Sequence, residues 1–373
     1  MPTKTKKSRR ANGDGSIYLD KTRNKIVASI TGPDGKRVTK RFPPGDRAVA
    51  RDWIAQQQTD IAQGDYVSRN DITLGEWMLD FIRTYKSGLK PTTIDNYYYD
   101  ARRLAPIADV PLQELSPVTL QRYFNGLACA HKTQVQVKTF LGMALRKAVS
   151  LQLMRRNPLD QVETSGGAPA SPIEVLTMDE VSRVISAAKK YNAKIYTIVM
   201  VAMYTGMRSG ELTALKWSDV DLQRGVISIT HNMVDLHGTR IYQSTPKTNA
   251  SRREITIPPL LTAILSDYKH RKIARIDIND QYVFHERDGQ SISSNMIRYY
   301  WSKVQIRAGI PHRKFHALRH THASQLLAAG VPITEVSRRL GHANPAITLK
   351  IYSHYIPGND RAVADKVQEI FGS

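Results

Sequence analysis

The sequence predicts a multidomain chain with a small α+β N-terminal domain, an all-α second domain, and a mixed, mainly-α last domain with a small antiparallel sheet. Three observations predict it. The chain has 373 residues, which at ~100–200 residues per domain suggests two or three units. Short strand-like runs with turn signals give way to capped, helically periodic segments at about residue 72. A stretch rich in Gly, Pro and Ser then interrupts the chain at residues 161–172. The boundaries expected are 1–66, 72–160, a linker at 161–172, and 173–373.

Composition narrows the partners. Lys and Arg total 54 against 33 Asp and Glu, a formal charge of +21. Such an excess favours a polyanion, because neutralising phosphates releases condensed counterions. An anionic membrane surface is the rival, but no run of ~18 apolar residues exists to span a bilayer. A single cysteine, Cys129, excludes an intramolecular disulfide and a cysteine-based zinc cluster; it reads as a small buried hydrophobe. Lys4, Lys6, Lys7, Arg9 and Arg10 are followed by no apolar segment, so they read as a basic arm and not a secretory signal. The expected location is a cytoplasm or wherever DNA is handled.

In the first folded unit (15–64), residues 17–19, 25–31 and 36–42 read as strands, with Gly32-Pro33-Asp34-Gly35 as the last turn. Asp46 is placed to cap a helix carrying Trp53, Ile54 and Ile61. A basic sheet backed by one helix can read a DNA groove, or can be purely structural. In the second unit, Thr73 and Glu76 form a capping box before Trp77, Met78 and Phe81. Lys90-Pro91 opens a second helix, Ser116-Pro117 a third, and Phe140, Leu141, Ala144, Leu145 and Ala148 mark a fourth. Arg102, Arg103, Lys132, Lys138, Arg146, Lys147, Arg155 and Arg156 make the unit basic. Tyr97-Tyr98-Tyr99 reads as partly core. In the last unit, Thr177 and Glu180 give another capping box, and 195–204 reads as a buried helix. Residues 225–230, 239–244 and 254–257 read as strands.

Four motifs in this last unit concentrate cations, imidazoles and a phenol. Arg208 sits between Gly206 and Gly210, where a guanidinium fork can grip a phosphate or simply pair with Glu211. Lys247 is expected on a hairpin tip between two strands, as a proton donor or as a solvated loop lysine. His316-x-x-Arg319 would face one ligand from a helix. His316 and His320 have a zinc-like i, i+4 spacing, but lack the intervening Glu and a third ligand. His342 follows Gly341, and Asn344-Pro345 then starts a helix reaching Tyr352, which is core, interface or nucleophile.

The ordered set Arg208, Lys247, His316, Arg319, His342 and Tyr352 resembles the tyrosine recombinase (phage integrase) family, across residues 176–357. The strings Thr-Gly-Met-Arg-Ser-Gly-Glu-Leu, His-Ala-Leu-Arg-His-Thr and Leu-Gly-His are similar to that family's own. The resemblance implies the tyrosine recombinase catalytic fold, a helical core-binding domain and an N-terminal arm-binding domain, the layout of integrases from phages and conjugative transposons. It also implies a 3′-phosphotyrosyl bond to Tyr352. Arg208 and Arg319 would clamp the phosphate, aided by His316 and His342, with His316 able to take the Tyr352 proton and Lys247 protonating the 5′ oxygen. No metal or cofactor is implied. Asp219-Val220-Asp221 reads as a capping turn and not as a metal site. The implied partners are double-stranded DNA and a homotetramer, with room for accessory DNA-bending or directionality factors. Residues 360–371 form an amphipathic helix with Val363, Val367, Ile370 and Phe371 on one side, to dock on a neighbouring protomer or on its own domain. Two alternatives remain: a type IB topoisomerase, and a helix-turn-helix regulator built on residues 333–344.

Overall fold

The computed structural model describes residues 15–64, 66–164, 173–244, 252–272, 281–356 and 360–372. The chain divides into two compact units, Met1–Pro169 and Ala170–Ser373.

The first unit opens with an antiparallel sheet of β1 (Ser16–Asp20), β2 (Lys25–Thr31) and β3 (Arg37–Phe42). The β2–β3 turn closes where Gly35, at φ +75°, donates to the Gly32 carbonyl at 3.0 Å. Helix α1 (Arg47–Ala62) covers the sheet, burying Ala50 and Ile54 against Ile26, Ala28 and Phe42. Asp46 occupies the cap position, but its side chain makes no capping bond. There φ −91° and ψ 41° lie outside the extended region from which a cap side chain reaches back to the helix N–H groups.

Four helices follow: α2 (Leu74–Tyr85), α3 (Pro91–Arg103), α4 (Pro117–Gly126) and α5 (His131–Ser150). Thr73 and Glu76 form the complete capping box, and Ser116 accepts from the Thr119 N–H. Trp77, Phe81, Phe124, Phe140 and Leu145 fill the core. The Trp77 indole satisfies its N–H on the Ala144 carbonyl at 3.0 Å. Tyr97 stacks on Phe140 at 4.6 Å, whereas Tyr99 is exposed. Cys129 is half-buried, not core, because it lies in the irregular turn between α4 and α5.

The second unit runs α6 (Met178–Tyr191), α7 (Ala193–Thr205), α8 (Ser209–Ala214), β4 (Val220–Asp221), β5 (Val226–Ile229), β6 (His231–Leu236), β7 (Thr239–Ser244), β8 (Arg253–Thr256), α9 (Pro259–Lys272), α10 (Ser294–Ala308), α11 (Ala317–Ala328), α12 (Ile333–Leu340), α13 (Pro345–Tyr352) and α14 (Asp360–Phe371). The Thr177–Glu180 capping box is present. Helix α7 is the central one, burying Ile195, Ile198, Val199, Met200, Val201 and Ala202; each of these but Ala202 stabilises by roughly 1.5–3 kcal/mol.

The strands pair differently from expectation. β4, β5 and β8 make one sheet, while β7 pairs with β6 in a separate ribbon. Strands β7 and β8, which flank Lys247 in the sequence, therefore lie in different sheets, while Lys247 itself falls outside the described residues. The hairpin lies earlier, at His237-Gly238, where both residues have positive φ, 50° and 84°, as a two-residue turn requires. Strand β6, His-Asn-Met-Val-Asp-Leu, lacks the β-branched alternation that would mark it in advance. Asp219 and Asp221 cap the turns on either side of short strand β4: Asp219 accepts from the Lys216 N–H, and Asp221 from those of Gln223 and Arg224. Among the described residues, no helix is long and apolar enough to cross a membrane.

Candidate functional site

The site is assembled around the end of α7. Gly206 caps that helix at φ +65°, and a Cβ there would lie 2.7 Å from His322 and 2.9 Å from Leu340, so only glycine lets the chain turn so tightly. Buried Met207 then pins the next residue, Arg208, at the start of α8. The Arg208 guanidinium donates to Glu211 Oε1 at 2.8 Å and to the Gly341 carbonyl at 3.1 Å. Its side chain remains 38% exposed. The pairing with Glu211 and a position open to a ligand thus coexist.

Glu211 is a buried hub. Arg253 grips it with two bonds, Nη2 to Oε2 at 2.8 Å and Nη1 to Oε1 at 3.1 Å, and donates Nε to the Arg339 carbonyl at 2.7 Å. Burial alone would raise the Glu211 pKa. The hydrogen bonds and charge of Arg253, with the Arg208 charge, outweigh it and hold the carboxyl below its usual value. The carboxylate is thereby kept ionised between two guanidinium groups.

Arg319, on α11, is 2% exposed. It donates to the Gly206 carbonyl at 2.6 Å, to the Leu340 carbonyl at 2.8 Å, and to His342 Nε2 at 3.0 Å. His342 Nδ1 lies 2.7 Å from Thr348 Oγ1. Since Arg319 can only donate, Nε2 accepts, and the ring hydrogen sits on Nδ1 facing Thr348. Burial, then the charges of Arg319, Arg208 and Arg253, push the His342 pKa down to about 4, which suits this neutral ring. In this arrangement His342 orients Arg319; donating to a ligand would require its hydrogen on the other nitrogen.

His316 stands at the residue before α11, not within it, and its ring is exposed. The protein packed around it, followed by the charges of His320, Arg319 and Arg208, holds its pKa below the ordinary histidine value. Its ring meets that of His320 edge-on, with centroids 4.7 Å apart. Tyr352 closes α13 and is 1% exposed, packed with Ala323, Leu327, Val336 and Leu340. Its hydroxyl lies 2.7 Å from Nδ1 of His320, not against His316. Burial drives the phenol pKa up to about 12, while Arg319 and Arg208 are near enough to pull it downward. Lys247 lies outside the described residues.

The structure therefore brings together Arg208, Arg319, His342 and Tyr352, with His316 at the rim. Sequence reasoning underrated Glu211, His320, Arg253 and Thr348. A signal for Arg253 did exist: residues 253, 255 and 257 alternate with exposed Glu254 and Thr256, so Arg253 falls on the buried face of β8. Among the described residues, no group of three or more His, Cys, Asp or Glu side chains is placed to hold a metal ion.

Two guanidinium groups, imidazoles and a phenol thus converge on one place, a set of groups chemically able to bind an anion and to supply a nucleophile. Residues 174–357 match the Phage integrase family and residues 73–128 the phage integrase N-terminal SAM-like domain. The chain belongs to the phage integrase family of tyrosine recombinases, enzymes that cleave and rejoin DNA. It is 28% identical to a tyrosine recombinase XerC-like protein of Caldanaerobacter subterraneus subsp. tengcongensis, over 91% of this chain and 93% of that one. In fold it is similar to the Tn1549 transposon integrase in complex with a circular intermediate DNA, at TM-score 0.67 and 21% identity, over 80% of this chain and 99% of that one. It is also similar to a lambda integrase tetramer bound to a Holliday junction, at TM-score 0.58 and 19% identity, over 94% and 99%.

Proposed function

We propose that this recombinase is a site-specific integrase that inserts and excises a mobile element or phage genome through a 3′-phosphotyrosyl bond to Tyr352. The observation that carries this reading is that Arg208 and Arg319, from segments far apart in the chain, are held on the carbonyls of Gly206, Leu340 and Gly341, with His342 bonded to Arg319 and both arginine charges near enough to act on the Tyr352 phenol. Carbonyls hold the two arginines, so their positive charges are aimed in advance at the phosphate. Tyr352 Oη attacks phosphorus in line, the P–O5′ bond breaks, and Lys247 protonates the departing oxygen. One phosphoester replaces another, so the partner strand's 5′ hydroxyl can reverse the step without ATP. His316, at the rim, adds a hydrogen bond to the phosphate oxygens.

In this reading residues 1–66 bind arm-type DNA sites, 72–160 grip the core site, 161–172 link, and 173–373 carry the chemistry. The assembly is a homotetramer on DNA, as in the lambda integrase structure, with α14 exchanged between protomers. Val367, Ile370 and Phe371 of α14 are exposed, which supports that role; the Val363 side chain lies outside the described residues. Accessory bending or directionality factors act with it, in the cytoplasm at the nucleoid.

The test uses a duplex spanning the joined ends of the host element, nicked beside the scissile phosphate so that the cut piece diffuses away. The parent protein should form an adduct that survives denaturant, and Tyr352→Phe should form none while binding the duplex as tightly. An adduct of equal yield with Tyr352→Phe rejects Tyr352 as nucleophile.

A further inference from the structure

The proposed mechanism leaves the phenol proton without a destination shown by geometry. His316 lies on the rim, and its ring touches His320, not the tyrosine. The Tyr352 hydroxyl instead meets Nδ1 of His320 at 2.7 Å, with the two rings inclined at 55° and their centroids 5.6 Å apart. We infer that His320 takes the proton from Tyr352 as the DNA strand is cut, an assignment that rests on the reading of Tyr352 as nucleophile.

The placement follows from the helix. His320 is one residue after Arg319 on α11 and one turn after the cap residue His316, so one rigid element sets the phosphate-binding guanidinium and the base in register. The edge-on His316 ring limits how His320 can rotate. Nδ1 accepts from the phenol when the ring's own hydrogen is on Nε2.

The charged and titratable groups facing this pair are Arg319, Arg208, His316, Glu174 and Tyr355. Burial and the Arg319 charge keep the His320 pKa below the ordinary value, against an opposing pull from Glu174. The ring is therefore neutral and able to accept at neutral pH. Tyr355 acts on the phenol, and raises its pKa.

The atoms balance. The Tyr352 proton passes to His320 Nδ1, giving an imidazolium, as Oη–P forms and P–O5′ breaks with its proton drawn from Lys247. On resealing, the 5′ hydroxyl gives its proton back to Lys247 as it attacks phosphorus, the phenolate leaves, and the imidazolium returns its proton to it. The phenol must first be uncovered. α13 buries only Thr348 and Tyr352, so a shift of that helix suffices, and the half-exposed His320 can follow the hydroxyl.

Single-turnover cleavage of the same nicked duplex, by the full chain from about pH 6 to about pH 9, tests the assignment. His320→Asn keeps a hydrogen-bond acceptor beside the phenol but cannot take a proton. It and His320→Ala should bind DNA like the parent and cut ~10²-fold or more slowly. Their rates should climb steadily with pH as hydroxide takes over, and added imidazole should restore part of the rate of His320→Ala. Should His320→Ala fail to fold, His320→Asn and His320→Gln carry the comparison. Cutting by His320→Asn within a few-fold of the parent, with an unchanged pH profile, would leave His320 a mere support and overturn the inference. That outcome differs from failure of the Tyr352 reading, in which the parent forms no adduct or Tyr352→Phe forms the same one.

Discussion

The cationic half of the site and its nucleophilic half are held in different ways. Arg319 is tied to two carbonyls and an imidazole, and Arg208 and Arg253 share a buried carboxylate. All of them hang from the central helix α7 and its neighbours. Tyr352 is buried too, but on an eight-residue helix whose Ile347 and Leu349 face solvent, 42% and 49% exposed. On the proposed function, charges that must not reorganise during reaction are built into the core, whereas the proposed nucleophile rides on an element that few contacts restrain. Thr348 joins the halves, since its hydroxyl on α13 meets the His342 ring that orients Arg319.

Breaking the rigid half at its hub should have the largest effect. Glu211→Gln leaves Arg253, only 5% exposed, as a buried charge without its partner, at a cost of about 3–5 kcal/mol. The melting temperature of the full chain should fall on the order of 10 °C. The pH dependence gives a second reading. The Glu211 carboxyl sits below its usual value of 4.5 when folded, so its contribution is present above that pH and is lost as pH falls through the lowered folded pKa. The parent's melts should therefore drop in acid along a limb that is shallower in Glu211→Gln.

A milder change in the same half sharpens the contrast. Arg319→Lys keeps the charge, but one ammonium cannot span the Gly206 carbonyl, the Leu340 carbonyl and His342 together. Single-turnover cleavage should fall by ~10²–10³ with DNA binding largely kept. A fall of only a few-fold would mean that charge alone matters, not its placement. Smallest should be Thr348→Val, which removes one hydrogen bond worth about 1 kcal/mol and slows cleavage roughly fivefold by loosening His342. An unchanged rate would mean the halves are not coupled through Thr348.

Much of the fold was legible because its signals are local. The capping boxes at Thr73–Glu76 and Thr177–Glu180 need only residues three apart, and both are present. The buried helix at α7 announced itself by being apolar nearly all round. Strand pairing was not legible, since β7 sits beside β6 and β8 beside β5 by contacts that no run of residues encodes on its own. Asp46 shows a local signal overruled: the residue type is right for a cap, but the backbone there turns the side chain away.

By itself, the sequence determined the fold class and the residue types of the site, because helix caps, periodicity and an ordered set of Arg, His and Tyr are written in neighbouring positions. The partners of those residues were decided by tertiary structure alone. Which carbonyls hold Arg319, why Glu211 stays ionised, and that the phenol meets His320 and not His316 all depend on how α11, α12, α13 and β8 pack. The physical reason is range: a hydrogen bond forms within about 3 Å, while the chain segments it joins are brought to that distance only when the core closes.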